Sequence, residues 1–208
     1  MRLGRLHEEI QSEKMNMGQI SRYLYNISTG RITLIALIVF LVFMVVVLPQ
    51  QAKTAEASSR GADSPDMSFT YSVEALYTMA EDYGEDGRQA YIRARFSFDI
   101  LFPLVYTAFL VTSISWVFQR AFTRHSGWQR ANLAPVFGMV FDLAENISTS
   151  VVMARYPART PVLDGLAPIF TLVKWIFVSG SFVFLLVGIL IAAWIWARNK
   201  TRSNTAGT

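Results

Sequence analysis

The stretch FDLAEN puts Asp142, Glu145 and Asn146 within five residues, inside an apolar run long enough to cross a bilayer. Carboxyl groups pass protons and hold cations, and in apolar surroundings beside another acid they are candidates for general acid–base work. An isolated charge at the bilayer centre costs about 2.5–3.5 kcal/mol even on the lenient insertion scale. Two acids so placed therefore mark a candidate site. On a helix, Asp142 lies three residues from Glu145 and four from Asn146, so the three share one face. Pro135, Gly138 and Thr149 extend that face; Val136, Val140, Leu143, Ile147 and Val151 occupy the opposite one. The polar face is expected to point into a bundle and the branched face into lipid.

Two other apolar runs carry matching stripes. Asp99, Pro103, Tyr106 and Ser113 fall on one face of the second, and Thr171, Lys174, Ser181 and Gly188 on one face of the fourth. The first run, LIALIVFLVFMVVVL, is apolar all round, which predicts that it packs outside a polar-cored group of three. A helical rise puts Glu145 and Lys174 each roughly 12 Å below the outer surface, Asp142 and Tyr106 roughly 16 Å and Asp99 roughly 6 Å. The expectation is one polar chamber in the outer half, made by Asp99, Tyr106, Asp142, Glu145, Asn146 and Lys174. By depth Glu145 pairs with Lys174, which leaves Asn146 and the Tyr106 hydroxyl to Asp142.

Three functions compete for this cluster. It could bind a lipid or other amphiphile, with Asp142 and Glu145 as catalytic candidates if the molecule is also processed. Asp99, Tyr106, Asn146 and Lys174 would then be ligand-binding residues, with Lys174 suited to a phosphate or carboxylate and the acids to a cationic head group or a divalent metal held by oxygen ligands alone. The cluster could instead hold helices in register, in a subunit or scaffold of a membrane complex. Such contacts average only about 0.6 kcal/mol, a small return for four ionisable residues. Proton- or cation-coupled transport is the third reading. The third span has no polar residue in its inner third, which argues against a path through the membrane. No recognised metal-ligand spacing is present, and no cofactor is specified.

The elements that must position these residues are four spans in a chain of 208 residues, 52% of them hydrophobic and 16% charged. The reading is an all-α integral membrane four-helix bundle, with a short extracytoplasmic helical hairpin between spans one and two. The boundaries are an N-terminal segment 1–30, spans 31–49, 96–118, 133–153 and 166–196, an outer segment 50–95, an inner loop 119–132, an outer loop 154–165 and a tail 197–208. With no cysteine, disulfides, thiolate metal sites, cysteine nucleophiles and CxxC relays are excluded. His7 and His125 lie far from the apolar runs, so a histidine-based triad has no place in the outer half.

Eleven basic residues flank the spans on the side of the two termini and seven on the other. This bias places both ends in the cytoplasm of a bacterial inner membrane. The net charge of +4 is accounted for by this flanking pattern and does not point to nucleic acid. Membrane lipids are the expected partners, with a homo-oligomer or another membrane protein as further candidates.

Outside the spans, Leu3, Leu6, Ile10, Met17, Ile20 and Leu24 form a stripe predicting an amphipathic helix on the inner membrane face. QQAKTAEASSRGADSPD, residues 50–66, reads as a flexible linker. Val73, Leu76, Tyr77, Ala80 and Tyr83 share a helical face before Gly84, a helix stop, and EDGRQAYIRARF continues into the second span. The resulting hairpin either covers the outer mouth of the bundle or lies on the membrane surface.

The segments FDILFPLVY and FDLAENISTSVVMARYP, followed by LVKW, resemble an uncharacterised family of small bacterial four-span membrane proteins. The resemblance runs from about residue 85 to 178. It rests on an Asp before a Pro in span two, D-x-x-E-N in span three and a Lys in span four. It implies the four-span fold and no activity.

Overall fold

The computed structural model describes residues 17–59, 61, 63–65, 68–123 and 126–205. Leu3, Leu6, Ile10, His7 and His125 lie outside the described residues. All regular structure among the described residues is helical, and four helices are long and apolar enough to cross a membrane.

Helix α1 spans Met17–Ile27. Ser21 and Tyr25 are its buried residues, one position away from Ile20 and Leu24. The reason is polar. The Ser21 hydroxyl donates to Asn132 Oδ1 at 2.8 Å, and the Asn132 amide donates to the Ser21 carbonyl and to Ser115 Oγ, both at 3.1 Å. Asn132 is fully buried, so these bonds offset its desolvation and tie α1 to the bundle end.

The first span, α2, is a continuous rod of Gly30–Val42, a π-helical turn Phe43–Val47 and Leu48–Ser59. It overturns the expectation of a flexible linker from residue 50, because residues 50–59 are helical. The apolar run already supplies the nucleus, and adding QQAKTAEASS one residue at a time requires no new nucleation. Ala, Gln, Lys and Glu all propagate a helix well. Residues Gly30–Val42 bury no side chain fully. The rod leans on span two through the stacked rings of Phe40 and Phe109, 4.6 Å apart. Between the two helices Ile32, Ile35, Ala36, Val39, Leu104, Val105 and Ala108 line an apolar groove of about 360 Å³.

Helix α3, Val73–Arg95, is capped by Ser72, whose hydroxyl accepts from the Ala75 amide at 3.1 Å. It is broken at Gly84, where φ is 63° and ψ −179°, a conformation reserved for glycine. Tyr83 and Tyr91 show the consequence. Eight residues of straight helix would separate them by about 12 Å, yet their ring centroids lie 5.6 Å apart, edge to face. The two arms fold on each other as a hairpin.

Span two, α4, is Phe98–Ala121; span three, α5, is Ala134–Arg155 after a 3₁₀ turn Gly127–Leu133; span four, α6, is Leu163–Thr205. Leu76, Tyr77, Met79, Ala80, Tyr83 and Tyr91 of α3 pack with Val152 and Met153 of α5 and Ala167 of α6 in one buried cluster. The hairpin therefore sits on the bundle end opposite the described ends of the chain, Met17 and Thr205. Tyr77 locks it there: its hydroxyl donates to Asp164 at 3.0 Å and accepts from the Thr160 amide at 2.8 Å.

Candidate functional site

Three spans bring the polar stripes together. On α5, Pro135, Gly138, Glu145, Asn146 and Thr149 are buried, whereas Val140 and Ile147 are about half exposed on the opposite side. Span one contributes no polar group to the cluster. Gly138 allows α6 to approach, since a Cβ there would lie 2.9 Å from a methyl of Val178.

Lys174 is the centre of the cluster. Its ammonium forms an ion pair with Glu145 and lies 3.6 Å from Asp142. Glu145 has no exposed surface, so this pair is shielded from water and salt. The other oxygen of Glu145 accepts from the Thr171 hydroxyl at 2.7 Å. Asp142 accepts from the Tyr106 hydroxyl at 3.0 Å. Its side chain keeps 14% exposure, against 0% for Glu145 and 7% for Lys174.

Asp99 and Asn146 differ from expectation. Asn146 does not bond to Asp142; its amide donates to the backbone carbonyl of Asp99 at 3.1 Å. Pro103 explains the choice. A proline has no N–H, so the carbonyl four residues earlier, that of Asp99, loses its helical partner. In a bilayer such a carbonyl must be satisfied by a neighbouring group, and Asn146 does so. The Asp99 carboxylate turns outward to Arg95, 3.0 Å away, whose guanidinium also stacks on Tyr91 at 4.2 Å.

Three contributors were not among the six residues singled out. Thr171 belonged to the polar stripe of span four but, as a neutral side chain, gave no reason to place it on the carboxylate. Arg95 reads as an interfacial anchor, although it is 8% exposed and carries the Asp99 pair. Tyr71 precedes the hairpin in a segment without regular structure. Its hydroxyl lies within hydrogen-bond distance, 3.1 Å, of Thr171 Oγ1. Two residues earlier, Phe69 packs on Trp175 with centroids 5.0 Å apart. Tyr71, Thr171, Glu145, Lys174, Asp142 and Tyr106 thus form one connected polar chain running from the hairpin segment into the bundle.

The arrangement can hold and exchange protons or cationic groups. Asp99, Asp142 and Glu145 carry three negative charges when ionised; Arg95 and Lys174 carry two positive ones. No group of three or more His, Cys, Asp or Glu able to hold a metal ion occurs among the described residues. Two buried atoms of α5, Asn146 Oδ1 and Ser150 Oγ, have no hydrogen-bond partner. No protein-family model matches the chain, and neither curated proteins nor solved structures show a significant likeness to it.

Proposed function

We propose that this cluster is an intramembrane binding site for the polar head of a lipid or other amphiphile, reached from the leaflet on the hairpin side. We place the protein in a bacterial inner membrane with both termini cytoplasmic, as the basic residues flanking the spans favour. The observation that carries the reading is the charge count: Asp142 and Glu145 share Lys174 between them, inside spans where surplus charge costs energy. A helix-locking pair needs one acid and one base. The additional acid is explained if a ligand supplies the balancing charge or proton. Asp142 is the group a ligand meets, because it keeps some exposure while Glu145 is enclosed by Thr171 and Lys174. If the bound molecule is also processed, Asp142 and Glu145 are the proton-transferring pair.

A second reading is favoured by one specific observation. Arg95 and Lys174 each sit on a carboxylate, as structural ion pairs would. On that reading the cluster sets helix register in a scaffold or complex subunit. Native mass spectrometry of the purified protein beside Asp142→Asn and Glu145→Gln separates the two. A discrete bound amphiphile, lost from both folded variants, is the expected result. Ligand-free wild type together with two unstable variants assigns the cluster to structure.

A further inference from the structure

Resting on the binding reading above, we infer that the head group held at this site carries an ammonium group, a primary amine in its charged form. Helix α5 offers a ligand a row of polar side chains. Asp142, Asn146 and Ser150 follow one another at four-residue intervals, so they climb one side of the helix in steps of about 6 Å towards the hairpin. Asn146 is 2% exposed and Ser150 4%, and their Oδ1 and Oγ atoms have no hydrogen-bond partner in the structure.

The orientation of Asn146 is fixed from its other end. Its nitrogen donates to the Asp99 carbonyl, so the oxygen is the atom left to accept from a ligand. An amide oxygen only accepts, and a serine hydroxyl can accept; an ionised carboxylate only accepts. The ladder is therefore built for a donor. At Asp142 and Asn146 it is poorly suited to phosphate or carboxylate, which would place acceptor against acceptor.

The charges select further among donors. Asp142 and Glu145 share Lys174, and Asp99 pairs with Arg95, so three acids meet two cations, and Asp142, on the longer contact, is the acid least fully balanced. Arg95, one turn before Asp99, has its charge offset by the Asp99 carboxylate at 3.0 Å. An ammonium carries three donors on one compact charge. It would balance Asp142 and satisfy the rungs above it, where a neutral hydroxyl would do only the second. Lys174 was expected to hold a phosphate; bound between two acids, it is better placed to orient Asp142.

The test uses the full chain, loaded with an equal mixture of phosphatidylethanolamine and phosphatidylglycerol of identical acyl chains and read by native mass spectrometry. Wild type is expected to retain the ethanolamine lipid about tenfold over the glycerol lipid, the discrimination of one charge-assisted hydrogen bond. Asn146→Leu and Ser150→Ala are each expected to erase most of that preference. Asn146→Leu also strips the Asp99 carbonyl of its donor, so Ser150→Ala decides if the first variant fails to fold. Free ethanolamine added as competitor tells the source: displacement of the lipid means a soluble amine suffices, and no displacement means the acyl chains are required. Equal retention of both lipids, or a Ser150→Ala preference equal to wild type, overturns the ammonium assignment and leaves an amphiphile site standing. Retention of neither lipid overturns the site itself.

Discussion

At the residue scale, Glu145 and Lys174 form the most enclosed ion pair among the described residues, and its energy follows from its surroundings. Both side chains are nearly enclosed, so removing Lys174 leaves two buried acids without their shared cation, and removing Glu145 leaves Lys174 only the longer contact to Asp142. Glu145→Gln and Lys174→Met are each expected to destabilise the protein by about 3–5 kcal/mol. The double variant should recover part of that loss, because the enclosed Glu145–Lys174 charges are both gone and only Asp142, which keeps 14% side-chain exposure, remains. Reversible unfolding in detergent micelles measures all three. Full recovery of both stability and lipid retention in the double variant would favour the structural reading; recovery of stability alone would favour binding. The same scale explains Asn146. One end of its amide repairs the gap left by Pro103, and the other end is available for recognition. A single side chain thus joins a structural need to the candidate site.

At the element scale, close approach of the spans depends on where their small residues fall. Gly188 of α6 lies against Phe118 and Val117 of α4. A Cβ there would meet ring carbons of Phe118 at 2.5 and 2.8 Å and a methyl of Val117 at 3.0 Å. Phe118 is 1% exposed and enclosed by the core, so its ring has little room to retreat. Gly188→Ala is expected to cost about 1–3 kcal/mol by overpacking. Gly180→Ala on the same helix meets nothing within 4 Å and is the neutral control. Thermal unfolding of the two variants side by side checks this; equal melting temperatures would mean that α4 and α6 are not held at the distance described. The hairpin is the second element with a consequence. It is anchored by Tyr77 to Asp164 and Thr160, which keeps the Phe69–Tyr71 segment over Trp175 and Thr171.

At the scale of the whole molecule, four spans place both described ends of the chain on one side and the hairpin on the other. The lack of cysteine makes this directly measurable. Ala57→Cys, near the end of α2, and Thr201→Cys, near the end of α6, are expected to react with an impermeant maleimide from opposite sides of the membrane. Thr201→Cys should be labelled only from the cytoplasm. Labelling of both from one side would overturn the four-span arrangement and with it the outer position of the site.

The four spans, their polar stripes and the hairpin break at Gly84 were legible from the sequence because each depends on local order. Length decides what crosses a bilayer, helical spacing decides which residues share a face, and one positive φ decides where a helix stops. The linker was misread because composition marks low apolar content and not helix continuation from a preformed nucleus. Burial of Ser21 in place of the neighbouring Ile20 was hidden because it depends on Asn132, more than a hundred residues away. The same holds within the site. Spacing alone determined that Asp142, Glu145, Asn146, Tyr106 and Lys174 would face one interior. Only the tertiary structure decided that Asn146 turns to Asp99, that Thr171 and Tyr71 join the chain, and that two acids share one lysine. A side chain's face is fixed by its own helix, whereas its partner is fixed by how the neighbouring helices are rotated and shifted against it.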